Sequence, residues 1–229
     1  MSTRPLTIVE APRVLRPAAP EPPGRRQHQA VVVWNLDGTL IRRDTLLPFL
    51  RQVCGPIQVG RAVAVATGRR LARSGHDGPR ARLLQQLLGA RVTAEVDVVA
   101  RRHAEDLFAH RLRADCLRRW QWHRHHGHRL VIVSSSPEVY VGHLGTLLGA
   151  DTVIATRMAS VNGRLTGRIS GGDRRGAERA RRVLAHTIER PAGLLWAYGN
   201  LPADRDLLDL ADIAIQVRPL RHLNAMTDA

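Results

Sequence analysis

The chain has 229 residues, enough for a sizeable core and for one domain with an insert, and no run in it approaches the roughly 18 apolar residues of a membrane-crossing helix. Its net charge of +15 comes from 35 Arg and no Lys, spread along a chain with only 3% aromatics; a nucleic-acid surface concentrates charge and interleaves aromatics, so a solvated Arg-rich surface is the plainer reading. Cys54 and Cys116 match no metal or redox spacing and the first residues lack an apolar signal core, so a reduced, cytoplasmic protein is the simplest expectation.

Residues 1–29 hold six Pro and five Arg with no apolar period and read as a disordered tail. Folded sequence begins near Ala30. Val31 to Trp34 is a buried-strand signal that ends in Asn35-Leu36-Asp37-Gly38-Thr39-Leu40. Polar residues at a strand's C-terminal end fall where open α/β sheets place ligand sites; an ordinary Asx-type turn is the plain alternative. Residues 44–115 look wholly helical. Leu46, Leu47, Phe49 and Leu50 open one helix, Ala81 to Leu88 forms a second and Val92 to His110 a third, with a break at residues 74–79. Such a block after a single strand predicts a helical cap. Trp120 and Trp122 read as packing residues, and His123 to His128 as a solvated helix end rather than a metal cluster, because the spacing is mixed and Arg intervenes.

From Arg129 the pattern is α/β. Leu130 to Val133 is a strand ending in Ser134-Ser135-Ser136-Pro137, followed by a helix to about Leu148. Thr152 to Ala155 is a short strand. Met158 to Val161 and Arg164 to Ile169 flank Asn162-Gly163, a strong hairpin signal. Gly176 to His186 is a helix, Leu194 to Tyr198 a strand ending in Gly199-Asn200, and Ile213 to Val217 the last strand. Strands separated by helices predict a mostly parallel sheet. The expected organisation is a core of 30–43 and 116–222, a cap of 44–115 and a tail of 223–229.

With Asn35 changed to Asp, residues 35–40 would read DxDGTL. That segment, followed in order by GHRLVIVSSSPEVYV, VIATR, NGRLTGR, the helix at Gly176 and AYGN, resembles the phosphoserine-phosphatase-like branch (subfamily IB) of the haloacid dehalogenase (HAD) superfamily, over roughly residues 30–222. The resemblance implies a HAD-like Rossmannoid three-layer α/β sandwich with a helical cap inserted after the first strand. It also implies roles. Asn35 stands where the family has its nucleophilic Asp, and Asp37 where it has the general acid/base whose carbonyl touches the metal. Ser134, with the amide of Ser135, stands where phosphate is bound. Arg179 stands in place of the charge-balancing Lys, Asn200 in place of a metal-binding Asp, and Asp204 matches the second acid of that pair. Asp44 falls where an acidic residue often faces substrate, though a helix N-cap before Leu46 explains it as well.

An amide at position 35 cannot plausibly form an acyl phosphate. Neutral residues at 35 and 200 remove both carboxylates expected to ligate Mg²⁺ directly, so Mg²⁺ binding should be weak or lost. The leading expectation is therefore a catalytically degenerate phosphatase-like protein in a regulatory role. It would bind phosphate or a phosphorylated small molecule in the core–cap cleft, or a protein partner. The rivals are a working Mg-dependent phosphomonoesterase and an Arg-driven binder of nucleic acid or acidic surfaces.

Overall fold

The computed structural model describes residues 30–68, 79–170 and 193–217, together with Val183 and Ala185. Strand β1 (Val31–Asn35) is buried along its whole length. Val31 and Val33 join one apolar cluster, and Val32 and Trp34 join another. A strand apolar at every position and covered on both faces belongs inside a parallel sheet. Accordingly β2 (Arg129–Pro137) and β5 (Leu195–Gly199) flank β1, both parallel to it. Beyond β2 lies β3 (Thr152–Val161), with β4 (Arg164–Ser170) antiparallel at that edge. Beyond β5 lies β6 (Ile213–Gln216), parallel. The order β4-β3-β2-β1-β5-β6 makes β1 the point from which the chain departs in both directions. The crevice at the C-terminal end of such a strand is the usual ligand position in open α/β sheets.

Helices cover both faces. Helices α5 (Ala114–His125) and α6 (Glu138–Leu148) pack with Val32, Trp34, Leu130 and Ile132. On the opposite face Val183 and the short α7 (Arg205–Leu208) pack with Val31, Val33, Val131 and Leu195. Among the described residues, four more helices stand between β1 and α5: α1 (Leu46–Cys54), α2 (Pro56–Gly68), α3 (Pro79–Leu88) and α4 (Thr93–His110). Leu46, Phe49 and Leu50 of α1, Leu84 and Leu88 of α3 and Val96 of α4 belong to the same apolar cluster as the sheet residues, so this block shares the core. Gly55, at φ +79°, ends α1 and Pro56 opens α2, the helix punctuation expected of these two residues. The chain returns to the sheet where Ile41 bridges Leu112 and the Arg113 amide donates to the Leu40 carbonyl at 2.9 Å. No helix among the described residues is long and apolar enough to cross a membrane.

Several elements differ from expectation. The strand expected over Leu130–Val133 runs on through the serine run to Pro137, which pairs with Thr156 after a shift of register. The two strands expected at 152–155 and 158–161 are one strand, β3, which changes partner from β2 to β4 along its length. The hairpin turn is as the sequence reads, with Asn162 at φ +50° and Gly163 at φ +73°. The helix expected at 176–186 lies outside the described residues except for Val183 and Ala185, which are helical.

The His run is the largest correction. His123 is fully buried rather than solvated. Trp34 and Tyr198 are paired neighbours on β1 and β5 and stack at 3.6 Å with 5° between their planes. Trp120 and His123 of α5 close over that stack. Arg119 Nε donates to the Tyr198 hydroxyl at 2.9 Å. Tyr198 can therefore give its one hydrogen to His123 Nε2 at 2.8 Å, and His123 Nδ1–H in turn meets His128 Nδ1 at 2.8 Å. Burial first, then the positive charge of Arg119 and the neighbouring His128 and His126, push the His123 imidazole down to about 3.

Candidate functional site

The crevice at the end of β1 is built from a tight turn. The amides of Thr39 and Ile41 both donate to the Leu36 carbonyl, at 3.2 and 3.0 Å, which folds Leu36–Ile41 back on itself and lifts Asp37 over the strand ends. Gly38 sits at φ +81°, where a Cβ would also come within 3.2 Å of Asn200 Nδ2. Glycine satisfies both conditions.

Asn35, the last residue of β1, is buried. Its Nδ2 donates to the Asp37 carbonyl at 2.8 Å and to Asp204 Oδ2 at 2.7 Å. Asp204 is buried too, and the same Oδ2 accepts the Asn200 amide at 2.7 Å. Three sequence-predicted residues, Asn35, Asp37 and Asp204, thus meet directly, with Asn200 bound through its backbone. Arg179 lies outside the described residues.

The Asp37 carboxyl is enclosed. Oδ1 accepts the Thr45 amide at 2.9 Å and the Thr45 hydroxyl at 2.8 Å; Oδ2 accepts the Ser136 hydroxyl at 2.8 Å. Since Thr45 gives its hydrogen to Asp37, Tyr140 donates its own to Thr45 Oγ1, at 2.7 Å. Burial pushes the Asp37 carboxyl above the usual carboxylate range. Arg80 opposes this, Asp44 adds to it, and the hydrogen bonds from Thr45 and Ser136 pull it back.

Arg80, near the start of α3, crosses to the strand ends. Nη1 donates to Asp44 Oδ2 at 2.6 Å and Nη2 to Ser136 Oγ at 3.0 Å, and Nη2 stands 3.7 Å from Asp37 Oδ2. Asp44 Oδ1 meanwhile accepts the amides of Leu46 and Leu47 at 2.9 and 3.2 Å, so it caps α1 and also holds Arg80. Ser134 is fully buried, and its Oγ accepts the Ser136 amide at 3.0 Å. The Ser135 carbonyl accepts Thr156 Oγ1 at 2.8 Å. Of the three serines, it is Ser136 whose hydroxyl reaches Asp37.

Arg80, Ser136, Thr45 and Tyr140 were not singled out from sequence. Ser136 sits inside the quoted serine run, and Arg80 follows Pro79 at a helix start. Neither position carries a spacing that points to Asp37, because the contacts span 43 and 99 positions of sequence.

The resemblance implies Mg²⁺ held by Asn35, Asp37, Asn200 and Asp204. The donor chemistry does not fit it. Mg²⁺ wants near-octahedral oxygens including carboxylates. Asn35 instead turns an N–H donor toward the Asp37 carbonyl and Asp204 Oδ2, two of the oxygens a cation would need. Among the described residues no group of three or more His, Cys, Asp or Glu side chains could hold a metal.

The fold has solved relatives. A protein of unknown function from Bordetella pertussis Tohama I superimposes with a TM-score of 0.70 at 18% identity, covering 82% of this chain and 88% of that one. The phospho-aspartyl intermediate analogue of phosphoserine phosphatase superimposes with a TM-score of 0.58 at 16% identity, covering 81% and 84%. At these identities the likeness is one of fold, and the fold is phosphoserine-phosphatase-like. By sequence, protein CicA of Caulobacter vibrioides (strain NA1000 / CB15N) is 32% identical over 194 residues, covering 82% of this chain and 86% of CicA. The profile of haloacid dehalogenase-like hydrolases matches residues 32–209, from β1 through α7, and the chain belongs to that family.

Proposed function

We propose that this protein has kept its family's anion pocket and lost its turnover. It binds phosphate, free or carried on a small molecule, in the cleft between the strand ends and the helices of residues 44–115, which act as a cap, and it does so in a regulatory role. The observation that carries this is Asn35. The residue in the nucleophile's place is a neutral amide, buried and bonded through Nδ2 to Asp37 and Asp204. It offers phosphorus no nucleophile, and losing one typically costs on the order of 10⁴–10⁶ in rate.

The cleft still suits an anion. Ser134, the Ser135 amide and Arg179 are its proposed ligands, and Arg80 adds a guanidinium beside Ser136. Guanidinium forks and oriented amides hold phosphate without a metal. Asp44 positions Arg80. The test is thermal unfolding of the purified protein across a phosphate titration. Phosphate should stabilise the wild type, and Arg179→Ala and Ser134→Ala should weaken the effect. If both variants respond like the wild type, the pocket is wrongly placed.

One observation favours the rival, a working phosphomonoesterase. Burial holds the Asp37 carboxyl above the usual carboxylate range, the direction wanted of a general acid, although Arg80, Thr45 and Ser136 pull it back. Mg-dependent hydrolysis by protein with Asn at position 35 would select that reading.

A further inference from the structure

Oxygens that converge in a buried site repel one another unless something positive stands between them. Here the Asp37 carbonyl and Asp204 Oδ2 converge, and the atom between them is Asn35 Nδ2, at 2.8 and 2.7 Å. Both neighbours are pure acceptors, so the amide must present its nitrogen rather than its oxygen to them, and its two hydrogens match the two acceptors. The contact is closed to water: Asn35 is 5% exposed and Asp204 1%. It joins residues 169 positions apart, the end of β1 and the loop after β5.

We infer that the Asn35 amide is a built-in substitute for the family's cation, one that ties β1 to the β5 loop by hydrogen bonds and makes the folded state independent of divalent metal. This goes beyond loss of turnover. It concerns what holds the strand ends together, and it stands or falls whether or not phosphate is bound. Asn200 supports it. Its backbone amide bonds the same Asp204 oxygen, and its side chain lies neutral against Gly38, so the second expected carboxylate is also gone. Among the described residues, the amide hydrogens of Asn35 and Asn200 stand where a cation would otherwise balance the Asp204 carboxylate.

Asn35→Asp replaces Nδ2 by an oxygen facing two others in a buried site. Breaking a buried polar contact by making one partner repulsive is strongly destabilising. A divalent cation would relieve the repulsion, so the substitution should make the protein's stability depend on metal.

The experiment is thermal unfolding of the full chain, wild type and Asn35→Asp, in EDTA and in millimolar Mg²⁺ with ionic strength matched by NaCl. The wild type should unfold at the same temperature in both. Asn35→Asp should unfold roughly 5–10 °C lower in EDTA, and Mg²⁺ well above its Kd should restore about half of that or more. Asn35→Asp unfolding at the wild-type temperature in EDTA overturns the inference. So does an Asn35→Asp protein indifferent to Mg²⁺, or a wild type that Mg²⁺ stabilises equally. Should Asn35→Asp fail to fold in EDTA, the double variant Asn35→Asp/Asp204→Asn decides. It returns an amide to the contact, so it should fold in EDTA and ignore Mg²⁺; a double variant that still requires Mg²⁺ refutes the substitution of amide for cation.

Discussion

Arg80 links the helical block to the strand ends, and its removal tests whether the cleft is an anion site. In the structure its guanidinium holds Asp44 Oδ2 and Ser136 Oγ and stands 3.7 Å from Asp37 Oδ2. Phosphate entering beside Ser136 would take over one or both of these donors. A charge-assisted hydrogen bond contributes about 1.5–3 kcal/mol. Arg80 must release Asp44 or Ser136 to make it, and at 26% side-chain exposure its charge is partly screened. The net gain is then about 1–2 kcal/mol, so Arg80→Ala should weaken phosphate binding roughly 5- to 30-fold. Stability without phosphate should fall by about 1 kcal/mol, because the partly exposed Arg80–Asp44 pair contributes little while Ser136 and Asp37 lose a neighbouring cation. Arg80→Lys keeps the charge but not the fork and should recover part of the affinity. Calorimetric titration with phosphate at two ionic strengths measures this. An Arg80→Ala affinity within twofold of wild type would show that Arg80 serves only to hold Asp44 and Ser136.

The acid stability of the protein should depend on His123. Its pKa falls from 6.5 to about 3 on folding, so the folded state binds fewer protons, and stability present above pH 6.5 is lost as pH falls toward 3. Between pH 7 and 4.5 the full shift corresponds to about 2.5 kcal/mol, and screening from the His128 side reduces this to about 1–2 kcal/mol. Urea unfolding of wild type and His123→Gln at both pH values should show that extra loss in the wild type alone; parallel losses would contradict it. Gly38→Ala forces a Cβ into a φ of +81° against Asn200 and should cost about 1–2 kcal/mol, read as a Tm lower by roughly 3–6 °C. The triple variant Asn35→Asp/Asn200→Asp/Arg179→Lys should form an acyl phosphate at residue 35 in Mg²⁺, whereas Asn35→Asp alone should form far less, because these groups act as a unit. A folded triple variant that binds Mg²⁺ yet traps no acyl phosphate across a phosphomonoester panel would show that divergence extends beyond these positions.

The sheet was legible because its signals are local. β1 is five consecutive buried residues, and Asn162-Gly163 supplies two positive φ angles that few other pairs adopt. Where one strand serves two partners, the sequence has no mark for it. β3 therefore read as two strands, and β2 read as Leu130–Val133 although it continues to Pro137. Position 35 was legible from the motif, but the direction of its amide was not, since that depends on Asp204 across the sheet. His123 was misread for the same reason. It begins a run of His and Arg in sequence, whereas across the fold it meets Trp34, Trp196 and Tyr198.

Loss of turnover is tested most directly by a Mg-dependent phosphatase assay of purified protein, with residue 35 verified as Asn by peptide mass mapping and the intact mass checked for a phosphoryl adduct. The amide at position 35 predicts negligible hydrolysis of generic phosphomonoesters and no adduct. Turnover near ordinary enzyme rates, on the order of 1 per second or more, from protein that still carries Asn35 would contradict it.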